Sequence, residues 1–514
     1  MKRIALVMTG IVGLLGCGGG GGKPGCSDTR PCEAGNYCAH TPDGNVCWPD
    51  EVDPVVGSVE ATCGGSTTCR RDATLHVEVD VTDDAAMGTV EVELGLDPGH
   101  PRAAALVSGN TYAVDVPLAE VPFPKFEDTL SVTVTARDEA ENAVSDTESV
   151  TLTRLAWATE LTTVPLWSPA VLPDGTIVVA AMNGKLHFVS KEGVESTPVD
   201  VTSSLLNGPA AVGSNAIWVG SEDGRLYPVS TTGNVGTSCN TGVALLGAPA
   251  ISGSWVVSAT KGSFVAVADA SGRCTPTSVP APAQPVVSRV GRVFIPSNGR
   301  LRSYSIAPVN GALVEEWTDT PPAPTVQNVF VPPSIDADSA IWTTSNPGLV
   351  YRTTSSGSAQ QVPADPAISD SSSGSIVLGD GSAVLGEFST SALRRLFLGG
   401  TPPWTMSESL EGHPGIPLAI TGDVPGLLVG TDNGWVAFVG QSDGEVAWEE
   451  RLTTAGLQPP NIWTESGAST STAYLAGADG YLYAVIVDGQ LDTDAPWPKA
   501  YHDPQNTSNA GISP

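Results

Sequence analysis

The sequence predicts an all-β protein, and three observations lead to that prediction. Turn-forming residues are abundant, with 57 glycines and 42 prolines among 514 residues, as expected for many short strands. No long helical periodicity or heptad pattern occurs. A short unit, made of a tight turn and then alternating apolar residues, recurs along the last two-thirds of the chain. We therefore expect a series of small antiparallel sheets, preceded by other β domains.

The repeating unit is clearest from Asn433 to Trp448, which reads NGWVAFVGQSDGEVAW. Its Asn-Gly pair supplies the positive φ angle that a hairpin turn needs, and period-2 alternation follows, as in a half-buried strand. Other copies are less regular and start 33 to 53 residues apart, at Asn183, Asp223, Lys261, Asn298, Pro347, Asp380 and Asp479. A period near 40 to 50 residues is typical of one four-stranded propeller blade.

The copy at Asn433 resembles, without gaps, the repeat of pyrroloquinoline-quinone-type (quinoprotein-like) propellers, roughly DGKLYALDAKTGEVLW. The resemblance covers residues 155–490 and implies a β-propeller there. Eight units imply eight blades. Since the unit at Asp380 is the weakest, seven blades are the alternative.

A segment before the first unit predicts how the ring is completed. Residues 155–163 read LAWATELTT and resemble VAWEERLTT at 446–454, yet no unit precedes them. We expect this strand to pair with the last unit, after Asp479. Such pairing removes the open sheet edges that otherwise lead to aggregation.

The N-terminus has the pattern of a targeting segment. Lys2 and Arg3 precede an apolar run from Ile4 to Leu15, which is too short for a comfortable membrane span. The run ends in Leu-Leu-Gly-Cys and resembles a bacterial lipobox, which implies a signal peptide at 1–16 and lipidation at Cys17. An ordinary signal peptide or a short anchor is the alternative. Residues 17–25 form a glycine-rich tether. The resemblance implies export and lipid anchoring to the bacterial cell envelope, at the outer membrane or cell surface.

The other eight cysteines are expected to form disulfides, as in exported proteins. Four of them lie within residues 26–49, a small cysteine-rich module whose connectivity the sequence leaves open. Zinc binding is the weaker interpretation there, because close cysteine pairs are missing. Two cysteines are expected to close a short loop, and the last two to pair with each other. These candidates are, in order, Cys26, Cys32, Cys38, Cys47, Cys63, Cys69, Cys239 and Cys274.

Residues 53–154 alternate strongly and predict a β-sandwich of immunoglobulin-like type. The segment TVTARDEAENAVSDTESVTLT resembles the last hairpin of bacterial immunoglobulin-like domains. Acidic residues cluster near the predicted strand ends, at Asp80, Asp83, Asp84, Asp138, Glu139 and Glu141. Hard cations favour such carboxylates, so calcium is one interpretation. We favour the other, solvated turn residues, and predict no metal ligand.

The formal net charge is −31, from 24 Lys and Arg against 55 Asp and Glu. Phosphate binding needs clustered basic residues, so nucleic acid is excluded as the expected partner.

No motif indicates catalysis, so we expect no enzyme, no catalytic residue and no cofactor. Gly440 to Gly444 reads GQSDG and fits a nucleophile elbow only in its letters, since it falls on an inter-strand turn. Quinoprotein dehydrogenases hold their quinone with a vicinal disulfide, a stacking Trp and a calcium ligand set. This chain has no adjacent cysteines, so we do not expect it to bind the quinone.

Two segments are assigned to the propeller surface. Residues 401–415 are predicted to form a loop over one face, and loops of this kind often carry binding residues; our candidates are Trp404 and His413. Residues 491–514 resemble the WPxxxHDxxxTG segment that accompanies these repeats. Trp497 is expected to pack on the ring, with His502 and Asp503 in a structural hydrogen bond.

The predicted function is a cell-envelope lipoprotein whose propeller is a non-catalytic platform for an envelope protein. The nearest analogy is the propeller lipoprotein of outer-membrane protein assembly, which is an analogy of fold. One alternative is surface adhesion with glycan binding. A second alternative is a quinone- or metal-dependent enzyme.

Overall fold

The computed structural model describes residues 26–27, 32–33, 35–42, 44–84, 87–319, 331–345, 348–364, 367–368, 372–398 and 404–514. The chain divides into two compact units. The first contains residues 1–67, 75–116 and 130–150, and the second contains 68–74, 117–129 and 151–514. Among the described residues there is no α-helix, and the only helical turn is a 3-10 turn at Leu118–Glu120.

The first unit begins with a hairpin of β1 (Asn36–Thr41) and β2 (Gly44–Pro49). Disulfides Cys26–Cys38 and Cys32–Cys47 cross-link this module. A module this small has little apolar surface to bury, so cross-links supply much of its stability.

Two further sheets follow, with strand orders β3-β5-β9-β8 and β4-β11-β10-β6-β7. In β5, exposed and buried residues alternate without exception, and β10 shows a similar pattern. Each sheet therefore buries one face, as the alternating sequence predicts. The strands are β3 (Val55–Thr62), β4 (Thr68–Arg70), β5 (Thr74–Thr82), β6 (Met87–Leu94), β7 (Arg102–Ala103), β8 (Ala105–Ser108), β9 (Thr111–Pro117), β10 (Glu127–Asp138) and β11 (Ala143–Thr153).

The described residues from Leu155 onward form eight antiparallel sheets, numbered here in chain order. Sheet 1 contains β13 (Ala170–Val171), β14 (Ile177–Ala180), β15 (Lys185–Val189) and β16 (Val199–Asp200). Sheet 2 contains β17 (Ala211–Val212), β18 (Ile217–Gly220), β19 (Arg225–Val229) and β20 (Cys239–Asn240). Sheet 3 contains β21 (Leu245–Ser252), β22 (Trp255–Thr260), β23 (Phe264–Asp269) and β24 (Cys274–Ser278).

Sheets 4 to 6 continue the series. Sheet 4 contains β25 (Val286–Val287), β26 (Val293–Ser297), β27 (Arg300–Ile306) and β28 (Leu313–Thr318). Sheet 5 contains β29 (Ser334–Ile335), β30 (Ile341–Ser345), β31 (Leu349–Thr353) and β32 (Ala359–Val362). Sheet 6 contains β33 (Ile376–Val377), β34 (Ala383–Glu387) and β35 (Ala392–Leu396).

The last two sheets draw on distant segments. Sheet 7 contains β36 (Leu418–Thr421), β37 (Gly426–Gly430), β38 (Trp435–Gly440), β39 (Val446–Arg451) and the short β43 (Gln490–Leu491), which pairs with β36. Sheet 8 contains β40 (Asn461–Trp463), β41 (Thr470–Ala476), β42 (Tyr481–Asp488) and, as its outer strand, β12 (Leu155–Glu160).

The pairing of β12 is the one that the sequence predicts. Leu155 lies opposite Val485, and Glu160 lies opposite Tyr481, in an antiparallel ladder. Sheet 8 is thus built from both ends of the repeat region, and its outermost strand comes from before the first unit.

Buried apolar clusters join each sheet to the next. One cluster connects sheets 7 and 8 through Leu428, Phe438, Leu475 and Val485. Another connects sheet 8 to sheet 1 through residues such as Tyr474 and Val179. The last sheet therefore packs on the first, and the cores lie between the sheets in a ring.

Candidate functional site

Trp404 lies beside β35 at the outer edge of sheet 6, next to an isolated bridge between Arg394 and Thr405, and not on a free loop. Its carbonyl accepts a hydrogen bond from Arg395 N at 2.9 Å, and Met406 N donates to Leu393 O at 3.2 Å. Met406 is buried in the cluster between sheets 6 and 7. The part of the predicted loop that the structure describes, residues 404–415, therefore begins with a short bridge to the outer edge of sheet 6; residues 401–403 lie outside the described residues.

The indole of Trp404 makes a contact that recurs around the ring. Its Nε1 donates to Gln441 O at 3.1 Å, and its ring covers Gly444, where an added Cβ would lie 2.6 Å from the ring. Trp157 covers Gly193 and Trp317 covers Gly357 in the same way, with indole hydrogen bonds of 2.9 and 3.0 Å. In each pair, a Trp of one outer strand packs on the third turn of the next sheet. This repetition gives Trp404 a structural role.

His413 lies in the connection from sheet 6 to sheet 7. Its Nδ1 is 2.9 Å from Asp432 Oδ2, and its ring stacks on Phe388 with centroids 5.4 Å apart. Phe388 and Asp432 belong to second turns of their sheets, whereas Trp404 contacts a third turn. Second and third turns lie at opposite ends of an antiparallel sheet. The structure therefore does not bring Trp404 and His413 together.

The two ends of the ring can be defined from the turns. The first and third turns of each sheet lie at one end, named here the odd-turn end. The second turns and the connections between sheets lie at the other, the even-turn end.

Exposed apolar side chains are distributed unequally between these ends. Of nine large hydrophobic side chains exposed among the described residues after 154, only Leu205 and Phe264 lie at the even-turn end. Five lie on first or third turns: Val194, Val235, Val290, Val309 and Val424. Val314 directly follows a third turn, and Ile512 lines a cavity with Arg289 of a first turn. The odd-turn end thus carries seven of the nine.

The C-terminal residues 492–511, named here the axial segment, run along the inner strands of the ring. Its backbone carbonyls accept hydrogen bonds from the first strands of six sheets, at 2.7 to 2.9 Å; the donors are Val171, Val212, Ile251, Val287, Val377 and Ala419. In sheet 8, Asn461 Nδ2 donates to Pro504 O at 2.8 Å. This one segment therefore accepts hydrogen bonds from the inner strand of seven of the eight sheets, and it fills the axis of the ring.

The predicted packing of Trp497 and the His502–Asp503 contact are both present. Trp497 is 1 % exposed and meets the His502 ring edge-on, with centroids 4.8 Å apart. His502 Nδ1 lies 3.2 Å from Asp503 Oδ2, and Asp503 also accepts from the Thr507 hydroxyl. These groups are buried and paired within the segment, which fits a structural role.

Sequence analysis did not single out Lys499, which is fully buried in the axial segment. Its Nζ donates to Ala500 O at 2.6 Å, Asp503 O at 2.9 Å and Asn506 Oδ1 at 2.8 Å. Burial lowers the pKa of Lys499 to about 7, against the carboxylate of Asp503, which raises it. Its three N–H donors match three oxygens, so Lys499 holds the segment in its folded course.

A cavity of about 960 Å³ lies in the second unit beside Trp448. Arg71 and Arg154 line it, and both are paired to Asp488, at 2.8 and 2.6 Å. Their remaining donors bond backbone carbonyls, among them those of Ala119 and Lys125. Because these guanidinium groups are already paired, the cleft offers little free positive charge to a ligand. The outer strand of sheet 8 is β12, which comes from before the first unit, so no third turn connects it to β42. Trp448 on sheet 7 therefore has no such turn to cover, and it lines this cleft instead.

The disulfides answer the questions that the cysteine pattern left open. Cys239 and Cys274 pair with each other and join the outer strands of sheets 2 and 3. Cys63 and Cys69 are also disulfide-bonded. The cysteine group Cys26, Cys32 and Cys47 is oxidised, so its sulfurs are not thiolate ligands for zinc. Among the described residues, the disulfides Cys26–Cys38, Cys32–Cys47 and Cys239–Cys274 join cysteines 12, 15 and 35 residues apart, so none of the three is vicinal.

Only two of the six acidic residues that the sequence grouped together lie close to each other in the structure. Asp83 and Asp138 come together, and Asp50, which the sequence did not single out, joins them. Asp80 is exposed and accepts a hydrogen bond from Thr111 Oγ1 at 2.6 Å. Asp84, Glu139 and Glu141 are exposed.

The predicted signal peptide, the predicted lipidation site Cys17 and the predicted glycine-rich tether lie outside the described residues. No helix in the described part of the chain is long and apolar enough to cross a membrane.

Known proteins resemble the chain in fold and not in sequence. No family model matches it, and no curated protein does. The crystal structure of BamB from Moraxella catarrhalis superposes with a TM-score of 0.50 at 15% identity, over 64% of this chain and 98% of that one. The computationally designed Ika8 protein gives 0.52 at 13% identity, over 65% and 100%. The ring of sheets is a β-propeller.

Virginiamycin B lyase from Staphylococcus aureus also matches, at 13% identity over 64% of this chain and 98% of that one. Its TM-score of 0.43 is too low to carry an argument. The propeller fold is compatible with binding proteins and with enzymes, so function has to be argued from the surface.

Proposed function

We propose that the protein is a cell-envelope lipoprotein whose propeller is a non-catalytic scaffold for a protein partner, bound at the odd-turn end. In this proposal Cys17 carries the lipid anchor, and the eight sheets are eight blades. The two sheets between residues 53 and 154 form an immunoglobulin-like sandwich, which follows the tethered module and precedes the propeller in the sequence. Export is supported by the disulfides, which persist in oxidising compartments.

The unequal distribution of exposed apolar side chains carries the proposal. Val290 is 79% exposed and Val309 is 82% exposed, both on turns of sheet 4 at the odd-turn end. Exposed apolar residues concentrated on one surface favour protein–protein contact. The axial segment fills the centre of the ring, where a small ligand would otherwise find an enclosed site. What remains for binding is an outer surface, which suits a macromolecule.

Glycan binding has less support. Aromatic side chains on propeller loops would favour it, yet among the exposed large hydrophobic side chains of the described residues only Trp48 and Phe264 are aromatic. Of these two aromatic side chains, only Phe264 lies on the ring of sheets, at the even-turn end. The acidic composition, with a net charge of −31, favours a partner with a basic surface.

Site-specific photocross-linking in native membranes tests the proposal. A photoreactive amino acid is placed at Val290 or Val309, and at Leu205 as the matched control from the even-turn end. We expect one discrete envelope protein to be captured from Val290 and Val309 and not from Leu205, identified by mass spectrometry. Capture of no protein from any position, or equal capture from both ends, would contradict it.

Charge substitution gives a second readout on the same surface. Val290→Lys and Val309→Lys together should reduce recovery of the captured protein by at least about tenfold, because buried apolar contacts dominate such interfaces. Leu205→Lys should leave recovery unchanged. All three positions are exposed turns or connections, so folding should be unaffected.

A further inference from the structure

Three carboxylates from separate segments of the first unit converge on one point. Asp50 directly follows β2, Asp83 follows β5, and Asp138 ends β10. One oxygen from each lies within 4.8 Å of the others. Two oxygens on opposite sides of a calcium ion are about 5 Å apart, since each Ca–O bond is about 2.3–2.6 Å long. The spacing therefore fits a single calcium ion.

Two of these carboxylates are removed from water. Asp50 is 7% exposed and Asp138 is 3% exposed. An acidic group at a loop is usually solvated, and burying its charge is costly unless a partner compensates. Clustered burial of this kind is the feature that separates these residues from Asp80 and Asp84 of the same unit, which are exposed.

The buried carboxylate of Asp50 also has too few hydrogen bonds to offset the burial of its charge. Its Oδ1 accepts a hydrogen bond from Val52 N at 3.0 Å, but its buried Oδ2 has no hydrogen-bond partner among the described residues. A buried carboxylate oxygen without a partner costs free energy, and it faces two further carboxylates. A cation at this position would neutralise the repulsion between the three carboxylates and would supply a partner for Asp50 Oδ2.

The surroundings are already ordered for an ion. Asn142 donates from its backbone N to Asp138 Oδ1 at 2.8 Å, and from Nδ2 to Asp138 Oδ2 at 2.7 Å. The same Nδ2 lies 3.1 Å from Asp50 O and 3.2 Å from Val52 O. Carboxylate oxygens have a second lone pair, so these bonds leave room for a metal. The recorded partners of Asp50 and Asp138 are neutral amides and do not balance the charge.

We propose that Asp50, Asp83 and Asp138 form a calcium site that fixes the disulfide-linked hairpin to strands β5 and β10. All three ligands are hard oxygens, which select calcium or magnesium over softer metals. Magnesium demands near-ideal octahedral geometry and keeps several of its waters, so a site of three protein carboxylates favours calcium. Water and nearby carbonyls would complete the coordination. The site joins the cysteine-rich module to the next domain, which stiffens the segment between them.

Calcium titration of the full mature protein, stripped with a chelator, tests this directly. We expect one saturable site with a Kd of about 10⁻⁴ to 10⁻³ M, the range of extracellular calcium modules. Asp50→Asn should raise that Kd at least about tenfold, because it removes one ligand charge of three. The matched control is Asp84→Asn, at an exposed acid beside Asp83, which should bind as the wild type does.

Thermal unfolding provides a readout that does not depend on measured binding. Calcium should raise the Tm of the wild type, because a ligand that binds only the folded state stabilises it. Without calcium, Asp50→Asn should unfold at a higher temperature than the wild type, since a buried uncompensated charge is gone. Adding calcium should then leave its Tm unchanged.

Protease cleavage after Glu51, the residue next to Asp50, tests whether calcium orders the chain at the proposed site. A glutamate-specific protease should cut the wild type at this exposed residue more slowly in calcium than in chelator. The proposal is overturned if the wild type shows no saturable calcium binding up to about 10 mM. It is equally overturned if Asp50→Asn binds calcium like the wild type, or if magnesium at the same concentration gives the same Tm shift.

Discussion

At the scale of single residues, Asp319 is a buried acid whose charge costs stability. Burial raises its pKa to about 6, although Leu301 N and the nearby Arg300 and Arg302 lower it. The folded pKa lies above the unfolded value, so the folded state binds more protons between about pH 4 and 6. The cost is therefore present above pH 6 and disappears as the pH falls below 4.

Asp319→Asn removes that charge and keeps an oxygen that can accept from Leu301 N, a bond of 3.0 Å. We expect it to raise the free energy of unfolding at pH 7.5 by up to about 3 kcal/mol, the value of about two pKa units. At pH 4 the gain should be absent. Urea unfolding at both pH values measures this, with exposed Asp423→Asn as the control; an equal gain at both pH values would contradict the assignment.

At the scale of elements, the contact between a Trp and a turn glycine joins neighbouring sheets. Gly444 has φ +76° and no room for a Cβ beneath Trp404. Gly467, on the first turn of sheet 8, has φ +83° with nothing within 4 Å of a Cβ. The two positions share the backbone strain of a left-handed residue and differ in the Trp contact. They form a matched pair for measuring it.

Gly467→Ala should cost about 1 kcal/mol, the strain of a positive φ. Gly444→Ala should cost about 1–3 kcal/mol more, because the indole must move and its bond to Gln441 O weakens. Chemical unfolding measures both, and tryptophan fluorescence reports the displaced ring. If the two substitutions cost the same, the Trp contact contributes nothing to the docking of sheets 6 and 7.

At the scale of the whole molecule, the axial segment connects sheets that are far apart in sequence. Lys499→Met would remove one donor from each of three buried oxygens. Asp503 O keeps its bond from Asn506 N, and a buried oxygen left with no donor costs about 1–3 kcal/mol. Because the segment bonds the inner strands of most sheets, we expect the entire propeller to unfold at a lower temperature. Lys185→Met, which removes a surface ion pair with Asp200, is the control and should have little effect.

Proteolysis separates release of the axial segment from general instability. A tag after Pro514 should be lost faster, together with residues of the axial segment, in Lys499→Met than in Lys185→Met at a temperature where both are folded. Equal rates and equal Tm values would show that Lys499 does not hold the segment.

Short-range patterns account for most of what the sequence predicted correctly. The turn at Asn433 and the alternation after it place β38, and similar copies place β15, β19 and β42. The likeness between the segment at Leu155 and that at Val446 predicted the pairing of β12 with β42. These features survive because hairpin turns and period-2 burial depend on neighbours in the chain.

Contacts between residues far apart in the chain could not be predicted from the sequence. Sequence analysis placed Trp404 and His413 on the same surface loop. In the structure, residues 404–415 run from one end of sheet 6 to the other, so the two side chains lie at opposite ends. The sequence placed Asp83 and Asp138 in one cluster of six acids near the predicted strand ends. It missed Asp50, which lies in the short linker between the two predicted domains. The ion pairs of Asp488 with Arg71 and Arg154 join positions more than 300 residues apart, so no local spacing encodes them.

The sequence by itself determined the β character of the chain, the repeating four-stranded unit, the use of disulfides and the strong negative charge. These follow from composition and from interactions between residues close together in the chain. The tertiary structure alone decided that the C-terminal segment fills the ring axis, which end of the ring exposes valines, and which three aspartates meet. Those outcomes depend on how separate sheets pack, and packing energy is set by groups that become neighbours only after the chain has folded.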